Sequence, residues 1–311
     1  MTNPVVELIH ERVRAGSAPG RREDAAVLGL CIEGGAMRGV VSAGMVAGLE
    51  QLALLPVFDL VIGSSAGAAN GAYLVAGQAT VGSTIYYENI NNRSFIDSRR
   101  MAIGRPVVDL DFLVRDVMTR QKPLDTSATL RSPIPLVIVA SNVDTGQGEA
   151  LRDYLGADDL LGCIRASATM PILAGPACTH RGGRYWDGSL TEPVPIDTAA
   201  RLGCTHVLAL LTRPAGAGRP ALSFFQRRVI LPRIRRTSPA LAARFARQDE
   251  EYRQMMASLE SQKTDAAPKV FALRPSGPLI ANLERRHAIL VDGARQGLSA
   301  VFSVFANTRA C

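Results

Sequence analysis

Lysine is nearly missing: of the 35 basic residues only Lys122, Lys263 and Lys269 are lysines, and aromatics make up 5% of the 311 residues. Proteins that stack nucleic-acid bases interleave aromatic rings with their cations. Aromatics this sparse do not make a row of such platforms along the arginines, so no nucleic-acid partner is expected. The five cysteines, Cys31, Cys163, Cys178, Cys204 and Cys311, are odd in number, far apart and never spaced C-x-x-C. That excludes a disulfide framework and a zinc site and fits a reducing compartment. No loop has the acidic spacing of a calcium site, and neither metal nor organic cofactor is expected. Uninterrupted apolar runs stay well short of the ~18 residues of a membrane span. The N-terminal stretch carries Glu7, His10, Glu11, Arg12 and Arg14 where a secretory signal would be apolar, so a cytoplasmic protein is expected.

What is present is the composition of a packed globular chain, 47% hydrophobic and 20% charged, with 28 Gly and 18 Pro, which excludes disorder and collagen. The net charge of +7 is concentrated: Arg219 to Arg247 holds eight arginines and no Asp or Glu. Within it, Leu222 to Leu231 mixes bulky apolar residues with arginine, as a helix lying on an anionic lipid surface would. A helix packed on the domain with solvated arginines gives the same pattern. The segment therefore implies a basic surface, and peripheral contact with an anionic membrane is one use for it.

Strands and helices alternate, which indicates α/β construction. Apolar runs predict strands at Val27–Ile32, Phe58–Ile62, Leu136–Asn142, Tyr185–Trp186, His206–Leu211 and Val270–Leu273. Helical spacing predicts helices over Arg38–Leu55, Ala66–Ala76, Val107–Thr119, Ala157–Thr169, Pro195–Leu202, Ala240–Leu259 and Asn282–Phe305. Residues 1–26 read as an N-terminal extension, 27–212 as the chemical core, and 213–311 as a basic, mainly helical part completing the same domain.

Three features carry chemistry. Gly63-Ser64-Ser65-Ala66-Gly67 spells G-x-S-x-G between a predicted strand and a predicted helix, the setting of a nucleophile elbow. Ser65 is the candidate nucleophile. Gly63 and Gly67 leave room for the sharp turn, and the helix that begins after Ser65 aims free N–H groups at it. Glu33-Gly34-Gly35-Ala36-Met37-Arg38-Gly39 lies one strand upstream. In a parallel sheet both loops leave the same edge, so the N–H groups of Gly34, Gly35 and Ala36 face the serine as an oxyanion hole, with Arg38 adding charge or pinning the loop. A nucleotide loop is a poor fit, because neither G-x-G-x-x-G nor G-K-[ST] is spelled. The third feature, Trp186-Asp187-Gly188-Ser189, sets a carboxylate in a turn at a strand end, where a plain Asp-Gly turn is the simplest reading.

In this order the three resemble the patatin-like phospholipase family, whose pattern is G-G-G-x-[RK]-G, then G-x-S-x-G, then D-G-[GA]. Phe58-Asp59-Leu60-Val61-Ile62 and Ala166-Ser167-Ala168-Thr169-Met170-Pro171 resemble the family's flanking words, and the likeness runs from about Leu28 to Leu211. Two positions depart from the pattern. Ala36 stands where a third glycine is usual, which keeps the N–H but penalises a positive φ, and Ser189 replaces a Gly or Ala. The resemblance implies a three-layer α/β/α fold with a mainly parallel central sheet and a helical C-terminal part. It also implies a Ser65-Asp187 dyad, an oxyanion hole at Gly34, Gly35, Ala36, Arg38 and Ala66, motif glycines Gly39, Gly63, Gly67 and Gly188, and a lipid or small acyl-ester substrate. Two other readings stand beside it. One is an α/β-hydrolase triad of Ser65, Asp187 and either His206 or His287; the other is a non-catalytic lipid-binding protein on the same fold.

Overall fold

A computed structural model describes residues 3–260 and 268–306; Lys263 and Cys311 lie outside them. In chain order the elements are α1 (Pro4–Arg14), β1 (Leu28–Ile32), α2 (Val40–Gln51), β2 (Leu60–Ser64), α3 (Ala66–Val75), α4 (Ala79–Glu88) and α5 (Thr126–Arg131). There follow β3 (Leu136–Asn142), β4 (Gly148–Leu151), α6 (Ala157–Ala168), β5 (Cys178–His180), β6 (Gly183–Trp186), α7 (Ile196–Arg201) and β7 (His206–Leu210). The C-terminal part holds α8 (Leu231–Thr237), α9 (Pro239–Ala246), α10 (Gln248–Glu260), β8 (Lys269–Leu273) and α11 (His287–Phe305).

The strands build one sheet in the order β5-β6-β3-β2-β1-β7-β8, with β4 paired to β3. Pairs β3-β2, β2-β1, β1-β7 and β7-β8 are parallel, whereas β4, β5 and β6 join antiparallel. A parallel sheet must be covered on both faces, and the alternation along the strands serves both. Leu28, Leu30 and Ile32 of β1 pack into one apolar layer with α2, α3 and α11 residues such as Met45, Ala72 and Leu290. Cys31, Ile62, Val139 and Val207 pack into the opposite layer with Ala199, Tyr252 and Met256. This is a mostly parallel α/β/α architecture. A third cluster, around Trp186, Ile234, Leu241 and Phe245, sets α8 and α9 over the end of the sheet beyond Asp187.

Several boundaries differ from the sequence expectation. The stretch expected as helix from Arg38 begins as a 3-10 turn at Ala36–Gly39, and α2 stops at Gln51. Phe112–Gln121 winds as a π-helix, later than the helix expected over Val107–Thr119. Arg247 breaks the helix expected over Ala240–Leu259 into α9 and α10. Asn282 is spent bracing the glycine-rich loop, Glu284 bonds Arg285 and Arg286, and α11 starts only at His287. The N-terminal segment is a docked helix: Asn3 caps it, Pro4 opens it, and Val5, Ile9 and Arg12 are buried. Arg12 ties it down through Asp24, Asp59 and the carbonyls of Val57 and Ala26. By length and hydropathy α11 could cross a membrane; here its Leu290, Gly293, Gly297 and Val301 face is packed into the domain.

Candidate active site

β2 ends at Ser64, and the chain reverses at Ser65 with φ 56° and ψ −126° before α3 begins. That region is sparsely allowed for a non-glycine residue, and it is where a surrounding structure must enforce the conformation. The enforcement is visible in close backbone contacts. A Cβ on Gly67 would sit 2.2 Å from the Ile32 carbonyl oxygen, and one on Gly63 would sit 2.4 Å from the Gly67 carbonyl oxygen. The Ser65 N–H donates to Ser167 Oγ at 2.8 Å, and that hydroxyl donates to the Val139 carbonyl at 2.6 Å. Ser167 thus buttresses the elbow from the end of α6, a role no local sequence pattern discloses.

Asp187 follows β6 and is 3% exposed. Its N–H donates to the Thr169 carbonyl at 2.9 Å and its own carbonyl accepts from Ser141 Oγ at 2.8 Å, so its backbone is fixed at both ends. Ser65 Oγ donates to Asp187 Oδ2 at 2.7 Å, and the Ser189 N–H donates to Oδ1 at 2.9 Å. Burial pushes the Asp187 carboxyl above its ordinary value, while the hydrogen bonds from Ser65 and Ser189 and the nearby Arg219 charge pull it down. The close fit continues at Gly188, where a Cβ would lie 2.2 Å from the Val139 carbonyl oxygen.

The glycine-rich loop lies against this pair. A Cβ on Gly34 would sit 2.7 Å from Ser65 Cβ and 3.3 Å from the Ala66 nitrogen. Among the described residues no protein acceptor takes the N–H groups of Gly34, Gly35, Ala36 or Ala66. The Met37 N–H goes to the Asn282 carbonyl and the Arg38 N–H to the Gly35 carbonyl. Arg38 pins the loop and also lines the cavity. Its guanidinium lies alongside Gly35, donates to Thr212 Oγ1 at 3.0 Å and bonds Asn282 Oδ1. Ala36 does take a positive φ, 51°. Gly39 sits where a Cβ would touch Ala66 Cβ and the Tyr86 hydroxyl, each within 3 Å.

Three further residues were not singled out from the sequence as site residues. Glu33, buried at the end of β1, accepts from the Thr212 N–H and hydroxyl and from the Tyr252 hydroxyl. Arg213 and Arg219 come in from the C-terminal side. All line a cavity of about 440 Å³ that also contains Ser65 and Asp187. Part of its apolar lining, including Ile90, Phe95, Leu110, Leu113 and Met118, comes from the region between α3 and α5.

The histidines stand elsewhere. His206 opens β7 at its amino end, next to Thr205 Oγ1. His287 is the first residue of α11 and meets Tyr87 edge to face. His180 bonds Asp159, and His10 faces Phe305. None hydrogen-bonds to Ser65 or Asp187 among the described residues. The described cysteines, Cys31, Cys163, Cys178 and Cys204, are buried free thiols. Asp159, Cys163 and His180 do approach one another closely enough for a metal, but Arg181 already pairs with the Asp159 carboxylate.

The patatin-like phospholipase family model matches residues 30–200. The chain belongs to the patatin-like phospholipase family. Similarity extends to an uncharacterized protein, YjjU, of Escherichia coli (strain K12), 29% identical over 201 residues, which is 63% of this chain and 53% of that protein. The chain thus spans about half the length of that relative. Similar solved structures include VipD from Legionella pneumophila, at 11% identity and TM-score 0.44, covering 90% of this chain and 67% of that one. Human GIVD cytosolic phospholipase A2, solved with methyl gamma-linolenyl fluorophosphonate, is 15% identical with TM-score 0.27, covering 47% and 26% of the two chains. Within the patatin-like match fall Gly34, Ser65 and Asp187; Arg213 and Arg219 lie beyond it.

Proposed function

We propose that this patatin-like protein hydrolyses carboxylic esters of lipids through a Ser65-Asp187 dyad. The observation that carries the reading is the 2.7 Å hydrogen bond from Ser65 Oγ to Asp187 Oδ2 on the wall of an apolar cavity. Ser65 Oγ attacks the ester carbonyl carbon while its proton passes to Asp187 Oδ2. A carboxyl held above its ordinary value is the better base for this transfer. The C–O double bond becomes an oxyanion, received by the N–H groups of Gly34 and Gly35, with Ala36 and Ala66 as further donors. Loss of one such donor costs about 10²- to 10³-fold in rate. Collapse breaks the bond to the alcohol, which leaves with the proton from Asp187, and acyl-Ser65 remains. Water, deprotonated by Asp187, then attacks the acyl carbon, and the fatty acid departs as Ser65 regains its proton.

In this reading residues 213–311 complete the same domain, since β8 extends the sheet and Arg219 lines the site. The arginines of Arg219–Arg247 make peripheral contact with an anionic membrane. The test is turnover of short and long acyl p-nitrophenyl esters by wild type, Ser65→Ala, Asp187→Asn, His206→Ala and His287→Ala. Ser65→Ala and Asp187→Asn are expected to fall to about one thousandth of wild type or less, and both histidine variants to stay active. An essential histidine would replace the dyad by a triad. A folded wild type inert toward these esters and toward phospholipids would leave a lipid-binding protein.

A further inference from the structure

Two guanidinium groups reach the dyad end of the cavity without counter-ions. Arg213 is 4% exposed, and its Nε is buried with no hydrogen-bond partner. Its Nη1 donates to the Gly218 carbonyl at 2.9 Å, and the group lies 5.6 Å from the centre of the Tyr252 ring. Half-buried Arg219 stands 6.0 Å from the same ring. Its one protein acceptor among the described residues is the Ser189 carbonyl, at a long 3.4 Å. Neither arginine forms an ion pair among the described residues, although the surface of the protein is rich in them.

The nearby carboxylates do not face these cations as partners. Glu33 is spent on Thr212 and Tyr252, and Asp187 on Ser65 and Ser189. Arg38, Arg213 and Arg219 against Glu33 and Asp187 leave one positive charge in excess at the site, and two when Asp187 is protonated. A buried guanidinium without a counter-charge is costly to desolvate. Burial lowers Arg219 below the ordinary guanidinium value. Unspent N–H donors, excess positive charge and an opening onto the cavity together describe a receptor for an anion with several acceptor oxygens. Gln226 and Gln248 also line the cavity. The stretch between α3 and α5 adds Ile90, Phe95, Leu110, Leu113 and Met118 to the lining, apolar surface suited to an acyl chain.

We propose that Arg213 and Arg219 form a phosphate subsite that seats the headgroup phosphate of the lipid whose acyl ester lies at Ser65. The subsite selects phosphorylated lipids over neutral glycerides of the same chain length. It rests on the hydrolase reading above, and the experiment keeps the two apart. The ratio of kcat/KM for dioctanoyl phosphatidic acid to that for dioctanoylglycerol is measured for wild type, Arg219→Gln, Arg219→Lys and Arg213→Gln. The two substrates differ only in the phosphate. The ratio is expected to fall at least about tenfold in Arg219→Gln, with partial recovery in Arg219→Lys. An unchanged ratio in a folded Arg219→Gln overturns the subsite. Should Arg213→Gln fail to fold, the half-buried Arg219 still carries the test.

Binding is read separately in Ser65→Ala by calorimetry with dioctanoyl phosphatidic acid, dioctanoylglycerol and inorganic phosphate. Preference for the phosphorylated lipid, lost when Arg219→Gln is added, upholds the subsite even if no ester is hydrolysed and the hydrolase reading fails. Inorganic phosphate that binds through Arg219 while the two lipids bind equally well would mean a free-anion site, and the headgroup assignment would fall.

Discussion

In the proposed dyad Asp187 has two tasks that pull against each other: it must be ionised to take the Ser65 proton, yet it is buried where charge is disfavoured. Burial raises its value above the ordinary 3.8, so the acidic limb of kcat/KM is expected above the pH at which exposed carboxylates titrate. Stability follows with a fixed sign. A group whose native value exceeds its unfolded one binds more protons when folded, so its stabilising contribution is complete below the unfolded value. It is lost as pH rises through the native one. Asp187→Asn is therefore expected to melt above wild type at neutral pH, with the gap closing as pH falls toward 3.8; melting curves across that range check it. A higher melting temperature for wild type at neutral pH would contradict the assignment. Ala36 makes the companion case. At φ 51° it holds a conformation that costs an L-residue about 1 kcal/mol relative to glycine. Ala36→Gly is expected to raise the melting temperature by about 2 °C in a chain of this size while keeping the loop N–H donors.

Between elements, the closest approach is that of α2 and α11. A Cβ on Gly297 would lie 1.9 Å from the Val41 carbonyl oxygen, and one on Gly44 would lie 2.0 Å from the Ala294 carbonyl oxygen, so the two backbones touch. Glycine to alanine in a solvent-facing helix stabilises by about 1 kcal/mol. Here the sign should reverse: Gly297→Ala forces α11 off α2 and lowers the melting temperature, as thermal unfolding followed by circular dichroism would show. Because α2 hangs from the glycine-rich loop, the same change should slow ester turnover. This contact also explains part of what was legible in the sequence. Buried strands such as β1, β2, β3 and β7 announce themselves as apolar runs between turns, and α3 by its small residues. Helix α1 carried its own signal, Asn3-Pro4 followed by Val5, Leu8, Ile9 and Arg12 at helical spacing, but Arg12 reads as solvated until Asp24 and Asp59 are placed around it. The antiparallel β4 is four residues long and partly exposed, with no apolar run to mark it.

At the scale of the whole molecule, what was legible in the site divides by sequence distance. Gly34, Ser65 and Asp187 each sit inside a short contiguous word whose residue types are demanded by local geometry. Ser167, Arg213, Arg219, Tyr252 and Asn282 act at the site only because the fold returns distant segments to one edge of the sheet, and no spacing rule encodes that. The same folding decides what the basic segment can do. Ile234, Leu241 and Phe245 pack inward, which leaves Arg227, Arg228, Arg233, Arg235 and Arg236 exposed, with Arg228 over the ring of Phe224, itself 77% exposed. The segment thus packs on the domain by one face and exposes a basic face on the other, and Gln226 and Ile230 also line the cavity. Each arginine near an anionic bilayer contributes about 1 kcal/mol, so Arg227→Gln with Arg228→Gln should weaken partitioning by about 30-fold. Cosedimentation with phosphatidylcholine vesicles, with and without phosphatidylserine, measures it. Wild type should bind the anionic vesicles, lose them as salt screens the charges, and lose them also in Phe224→Ser. Equal partitioning to neutral and anionic vesicles, or binding indifferent to the paired arginine change, would mean that this face meets water and that lipid reaches Ser65 by another route.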